Sequence, residues 1–204
     1  MSNLFESSKD FNIIKLPIVD GECILFESFF SFNESRDYYQ HFLKDIAWEQ
    51  EEMNMFGKLV KFPRLTAWYG DEGMSYSFSG LNLNPKPWTS KLKKIKEKIE
   101  LESQVQFNSV LLNRYRTGKD KISWHTDAEK SLGPCPEIAS VNFGATRVFQ
   151  IRHNETGETH DIKLKNGSLL IMRKELQHCW KHQIKQDLKL NDERINLTFR
   201  KIII

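Results

Sequence analysis

Apolar residues are spaced in two ways along this chain, at helical period before about residue 107 and in short alternating runs after it. Tyr38, Phe42, Leu43 and Ile46 form a stripe that one face of a helix would bury. Ser31, with Glu34 three residues on, has the spacing of a capping box and marks where that helix begins. A second helix is predicted from near Pro87 to about Glu100, with Trp88, Leu92, Ile95 and Ile99 on one face. Its Lys91, Lys94 and Lys98 read as a solvated face. Ile24, Leu25 and Phe26 read as a strand ahead of the first helix. Residues 1–22 read as a loosely tethered lead-in to one domain over 23–204. After Phe107, strands are predicted at 110–115, 138–143, 148–152, 162–164, 168–172 and 195–203, with Gly, Asn and Pro between them. Helices first and many short strands second predict an α+β chain with a sandwich or barrel core of the jelly-roll kind.

Composition narrows the class. A length of 204 residues suits one domain with a real core. The net charge of +3 is too small to argue for a nucleic-acid partner and does not oppose one. The 14 Phe favour a β-rich core or a site that stacks planar ligands. No run approaches the roughly 20 apolar residues of a membrane span, and residues 1–10 lack the basic-then-apolar pattern of a signal peptide. Cys23, Cys135 and Cys179 are odd in number and widely spaced, which argues against a disulfide framework or a Cys-rich zinc site. A reducing, intracellular compartment is expected, the nucleus in a eukaryote or the cytoplasm in a bacterium.

The candidate chemistry begins at Trp124-His125-Thr126-Asp127. In extended chain, residues i and i+2 point the same way, so His125 and Asp127 can hold one metal ion together. His182 lies downstream in another strand-like segment. Two His and one carboxylate form the facial triad that leaves positions on Fe(II) open. The triplet alone is common by chance and reads equally well as a turn Asp and a satisfied His. The last strand alternates strictly. Ile195, Leu197 and Phe199 face one way; Arg194, Asn196, Thr198 and Arg200 face the other. That polar face is either a solvated exterior or a pocket wall, and two Arg around two short hydrogen-bonding residues suit a dicarboxylate. Asn113 and Tyr115, also two apart, can bond carboxylate oxygens or form an ordinary polar strand edge.

In chain order, Asn113-x-Tyr115, His125-x-Asp127, His182 and Arg194-x-Asn196-x-Thr198-x-Arg200 resemble the AlkB family of Fe(II)- and 2-oxoglutarate-dependent alkylation-repair dioxygenases, above all its second and third mammalian homologues. The likeness runs from about Met55 to Ile203. It implies a double-stranded β-helix with the N-terminal helices packed on it and a nucleotide-recognition lid hairpin. It implies His125, Asp127 and His182 as iron ligands. Asn113, Tyr115, Arg194 and Arg200 would hold 2-oxoglutarate, with Asn196 and Thr198 lining the same face, and O₂ would be the second co-substrate. The implied activity is oxidative demethylation of 1-methyladenine and 3-methylcytosine in DNA, single- or double-stranded. RNA bases or a non-nucleic-acid substrate are the alternative. A monomer with no membrane partner is expected.

A nucleotide-recognition region is expected over about residues 50–85. Met55-Phe56-Gly57, followed by Lys58, Lys61 and Arg64, resembles the family's finger hairpin. There an apolar wedge fills the gap left by a flipped base while cations meet phosphates. The family usually carries Val where Met55 stands. Tyr76 and Phe78 resemble the aromatic walls of the base pocket, and Glu129 is placed to approach the base. Aromatic faces with a carboxylate favour a cationic base over its neutral parent. Ala128 departs from the near relatives, which carry an acid there. Without the resemblance, Met55, Phe56, Tyr76 and Phe78 read as core residues.

Overall fold

The computed structural model describes residues 12–55, 57–73, 76–78, 81–83 and 85–203; for 53–55, 76–78 and 81–83 it describes the backbone. Strands β1 (Ile13–Lys15) and β2 (Glu22–Phe26) precede helix α1 (Phe32–Asp45). Then come β3 (Glu52–Met55), β4 (Lys58–Lys61), β5 (Leu65–Gly70), β6 (Tyr76–Phe78), β7 (Leu81–Leu83) and β8 (Lys86–Pro87). Helix α2 (Ser90–Ser103) leads into β9 (Ser109–Tyr115), β10 (Ile122–His125), β11 (Ile138–Gly144) and β12 (Arg147–His153). The chain ends through β13 (Thr159–Leu164), β14 (Leu169–Arg173), the short helix α3 (Leu176–Cys179), β15 (Trp180–Ile184) and β16 (Arg194–Arg200).

An eight-stranded sheet runs β1-β2-β14-β11-β16-β9-β5-β8, and a four-stranded sheet runs β10-β15-β12-β13. Every strand pair in both is antiparallel except β5 with β8. Inside its exposed edge strand β1 the large sheet is buried on both faces, which decides what its alternation means. Ala139, Val141, Phe143, Ile195, Leu197 and Phe199 join Phe42, Leu92, Ile95 and Ile99 of the helices in one core. Leu111, Tyr115, Ile138, Leu170 and Met172 point the other way and pack with Phe149, Ile151, Ile162 and Ile184 of the small sheet in a second core. Three layers result: helices, large sheet, small sheet. This is the predicted jelly roll with helices on one outer face.

The helix signals hold, with local shifts. Ser31 and Glu34 form the reciprocal capping box at the start of α1. Helix α2 starts later than predicted because Thr89 is its cap, with its hydroxyl accepting from the Leu92 N–H at 3.3 Å. Pro87 instead closes β8, and Trp88 stacks on Phe199 at 6.2 Å. Lys98 is not on a solvated face: its ammonium lies 4.1 Å from the Phe30 ring centroid and 3.4 Å from Glu34. The lead-in is also corrected. Ile13–Lys15 already pairs with β2 as the sheet's edge strand, so the chain is tethered well before residue 23. The last strand ends at Arg200, three residues short of the prediction.

The predicted finger forms as a two-stranded hairpin, β3 against β4, with Met55 opposite Lys58. Gly57 turns it at φ +78°, a conformation that favours glycine. Phe56 lies outside the described residues, as do the side chains of Met55, Tyr76 and Phe78. Strand β6 pairs with β7 in a second small hairpin, Tyr76 opposite Leu83.

Candidate active site

The two sheets bring the three predicted metal ligands together. His125 ends β10 and is the direct cross-strand partner of His182 on β15. Asp127 follows two residues after the strand. Their ligand atoms all lie within 4.8 Å of one another. Each is held from behind. The His125 Nδ1–H donates to the Ser123 carbonyl at 2.8 Å, the tautomer that leaves Nε2 with its lone pair. The Asp127 N–H donates to the Gln177 amide oxygen at 2.9 Å, and both Asp127 carboxylate oxygens accept from Arg200 Nη2 at 3.0 Å. Phe149 stacks on the His182 ring at 5.0 Å.

The protonation states suit a cation. Burial pushes the His182 imidazole down to about 3, and His125 and Arg200 push the same way. Burial lowers His125 as well. Burial alone would raise Asp127, but Arg200, His182 and His125 outweigh it and bring the carboxyl to about 2. Two neutral imidazoles and one carboxylate are therefore ready at neutral pH with no proton to expel. The His182 Nδ1 is buried without a hydrogen-bond partner. The donor set fits a hard-to-borderline divalent ion such as Fe(II) with open positions.

Protonation gives a testable pH dependence of the metal-free protein. In the unfolded chain His182 takes up a proton near pH 6.5; in the fold it refuses one until about 3. The unfolded state therefore binds more protons in that window, and stability falls as pH drops from 6.5 towards 3. The full loss is on the order of 5 kcal/mol, from roughly 1.4 kcal/mol per unit. Denaturant midpoints measured across this range should fall steeply in the wild type and less in His182→Phe. Equal slopes in the two proteins would refute the assignment.

Beside the triad lies a cavity lined by Asn113, Tyr115, Asn196, Thr198, Arg194 and Arg200, together with Leu111, Phe149 and Ile184. The polar face of β16 is thus a pocket wall rather than an exterior. Its members differ in their commitments. Thr198 Oγ1 donates to Asn196 Oδ1 at 3.0 Å, and Asn196 Nδ2 donates to Ser140 Oγ at 2.8 Å. These two mainly brace the wall. Arg200 faces Asp127. Arg194 is 2% exposed, donates from Nη2 to Asn142 Oδ1, and lies 5.0 Å over the Tyr115 ring. Its Nε and Nη1 are buried with no partner. Burial, above all, brings its pKa down to about 10, so it remains a cation at neutral pH. A buried guanidinium with two idle donors, in a cavity whose cations outnumber its one carboxylate, fits an anionic co-substrate.

Arg64 is not where the sequence suggested. It was expected among surface cations, but it is 4% exposed and donates from Nε to Asn113 Oδ1 at 2.7 Å. Lys58 and Lys61 do stay exposed on the hairpin. Glu129 begins the short turn after Asp127 without a capping hydrogen bond; it is not among the residues lining the cavity, and its Oε2 is buried without a partner. Sequence reasoning missed Ser140, Asn142, Gln177 and Phe149. The first two alternate with Ala139, Val141 and Phe143 on β11, so the same two-residue period could have found them. Gln177 sits on a four-residue helix and had no signal.

Residues 22–200 match the family model of the 2OG-Fe(II) oxygenase superfamily. The chain is 34% identical to the alpha-ketoglutarate-dependent dioxygenase alkB homolog 3 of Bos taurus, over 98% of this chain and 72% of that protein. It is 38% identical to the DNA oxidative demethylase ALKBH2 of Mus musculus, over 84% of this chain and 74% of that protein. Bovine ALKBH2 is also 38% identical, but the chain spans 65% of its length. The solved structure of OsALKBH1 shares the fold, with a TM-score of 0.65 at 16% identity, covering 92% of this chain and 100% of that chain. A cavity made for a metal and an anion, on a jelly roll with these relatives, places the chain in the AlkB family of 2-oxoglutarate- and Fe(II)-dependent dioxygenases.

Proposed function

We propose that this dioxygenase demethylates cationic lesions in DNA, 1-methyladenine and 3-methylcytosine. The observation that carries the reading is the β3–β4 hairpin. Its second strand exposes Lys58, Leu59, Val60 and Lys61, with Leu59 76% exposed. The chain then runs through Phe62, Pro63 and the inward-turned Arg64 to β5 in the large sheet. A projection both apolar and cationic, joined to the catalytic body, suits a partner gripped by its phosphates and unstacked at one base. The name DNA oxidative demethylase, carried by ALKBH2 relatives, supports the same reading. The unpartnered Glu129 carboxylate oxygen supports a cationic base. A DNA substrate fits the nucleus of a eukaryote or the cytoplasm of a bacterium.

His125, Asp127 and His182 would hold the iron, and Arg194 would take a carboxylate of 2-oxoglutarate, with Asn113 and Tyr115 beside it. When bound, Fe(II), 2-oxoglutarate and O₂ together supply the oxidation of a methyl C–H bond, with succinate and CO₂ as co-products. The chain contributes placement. Arg200 keeps Asp127 ionised and oriented, and Ser123 fixes the His125 ring. Leu111, Phe149 and Ile184 give the cavity apolar walls, which strengthen a guanidinium–carboxylate contact.

The test is demethylation of matched single- and double-stranded oligonucleotides carrying one lesion, with an RNA strand of the same sequence. Turnover of 1-methyladenine and 3-methylcytosine should exceed that of neutral 3-methylthymine by roughly 10- to 100-fold. Glu129→Gln should narrow that gap by slowing the cationic bases. Phe56→Ala should cost more on duplex than on single strand, because unstacking burdens only the duplex. Faster turnover of RNA would move the substrate to RNA. No turnover of any nucleic acid would move it to another class of molecule.

A further inference from the structure

We propose that Arg64 is a positioning residue for the co-substrate, acting through Asn113. Every guanidinium N–H is a donor, so Arg64 can meet only the oxygen end of an amide. Its Nε donates to Asn113 Oδ1 at 2.7 Å, which fixes the orientation of that amide. The end left for a ligand in the cavity that Asn113 lines is therefore its Nδ2, a donor. Turned the other way, Asn113 would offer an oxygen, and a carboxylate would be repelled. One hydrogen bond thus selects between a site that accepts an anion and one that rejects it.

Burial, a ring contact and backbone register make Arg64 a bolt rather than a passing contact. It is 4% exposed, and its guanidinium lies 4.8 Å over the Phe62 ring. Its own carbonyl accepts from Gln50 Nε2 at 3.3 Å, and Gln50 Oε1 accepts from Arg116 at 3.2 Å. Cross-strand pairing adds register: Thr66, two residues on, is the direct partner of Asn113. Burying a guanidinium against a neutral amide is costly, and a carboxylate would hold it better. A carboxylate at position 113 would, however, put a negative charge beside the anion site. A neutral amide satisfies both demands. Membership of the oxygenase family supplies the co-substrate, so the inference does not depend on which base is repaired.

The experiment is anaerobic titration of the metal-loaded protein with 2-oxoglutarate, read by the charge-transfer absorbance of the Fe(II) complex and by calorimetry with Mn(II). Arg64→Met should weaken 2-oxoglutarate about tenfold, the size of one lost polar contact, with no loss of metal affinity. Arg64→Gln carries an N–H donor the same number of bonds from the backbone as Arg Nε, without the charge. It should hold affinity within about threefold, as a neutral bond replaces a charged one. In an Asn113→Ala background, Arg64→Met should have little further effect. Equal losses in Arg64→Met and Arg64→Gln would mean that charge alone acts and would overturn the proposal. So would a tenfold loss that persists without Asn113, or a parallel loss of metal affinity.

Discussion

Replacing Asp127 with Ala should abolish metal binding and turnover and also destabilise the metal-free fold. The two effects have different causes. The first is loss of the only carboxylate in the donor set, one of three groups converging within 4.8 Å. Disturbing outer partners of a metal site typically costs 10–100-fold in affinity, so losing a ligand should cost at least about 100-fold. The second concerns Arg200, which is 5% exposed and bonds both Asp127 oxygens at 3.0 Å. Removing one member of a buried ion pair leaves the other without its counter-charge, at up to about 3–5 kcal/mol. Asp127→Asn separates the two. Its amide oxygen still accepts from Arg200, so much of the stability should survive, while a neutral amide is a poor ligand and turnover should still vanish. Calorimetry with Mn(II), thermal unfolding without metal, and turnover after iron reconstitution read the three quantities. Full activity in reconstituted Asp127→Ala would remove Asp127 from the site.

Arg194→Met should act with opposite signs on stability and on co-substrate use. In the ligand-free protein Arg194 is buried, bonded to Asn142 and Tyr115, with two idle donors. Met of similar length removes the desolvation cost of a partly bonded buried charge, and Asn142 Oδ1 keeps its bond from Asn196 Nδ2 at 3.3 Å. The thermal midpoint without 2-oxoglutarate should hold or rise. The 2-oxoglutarate requirement should rise roughly 10- to 150-fold, from a charge-assisted contact of about 1.5–3 kcal/mol. A saturating concentration should recover most of the rate, since the metal triad is untouched. An unchanged co-substrate dependence would show that Arg194 braces the wall and binds nothing. A fall in both stability and co-substrate affinity would make it structural.

The sequence by itself determined the two long helices, most strands after residue 107 and the identity of the metal site, but not β5, which pairs with β9 in the large sheet. Ser31 and Glu34 define the start of α1 because a capping box is local chemistry. The two-residue period of β16 separates Arg194, Asn196, Thr198 and Arg200 from Ile195, Leu197 and Phe199 because side chains alternate on any strand. The ordered polar pairs, taken together, identified the family. Alternation could not say whether the polar face met water or a cavity. That was decided when helices covered one face of the large sheet and the small sheet covered the other. Nor could spacing show that His125 and His182 sit directly opposite, since the pairing of β10 with β15 is a long-range choice. The roles of single cations were decided the same way. Arg200 meets Asp127, Arg64 turns inward to Asn113, and Lys98 lies over Phe30, each through a partner far away in sequence. A charge looks the same in sequence whether it ends in solvent or in a buried pair, because its partner is chosen by the packing of distant strands and not by its neighbours along the chain.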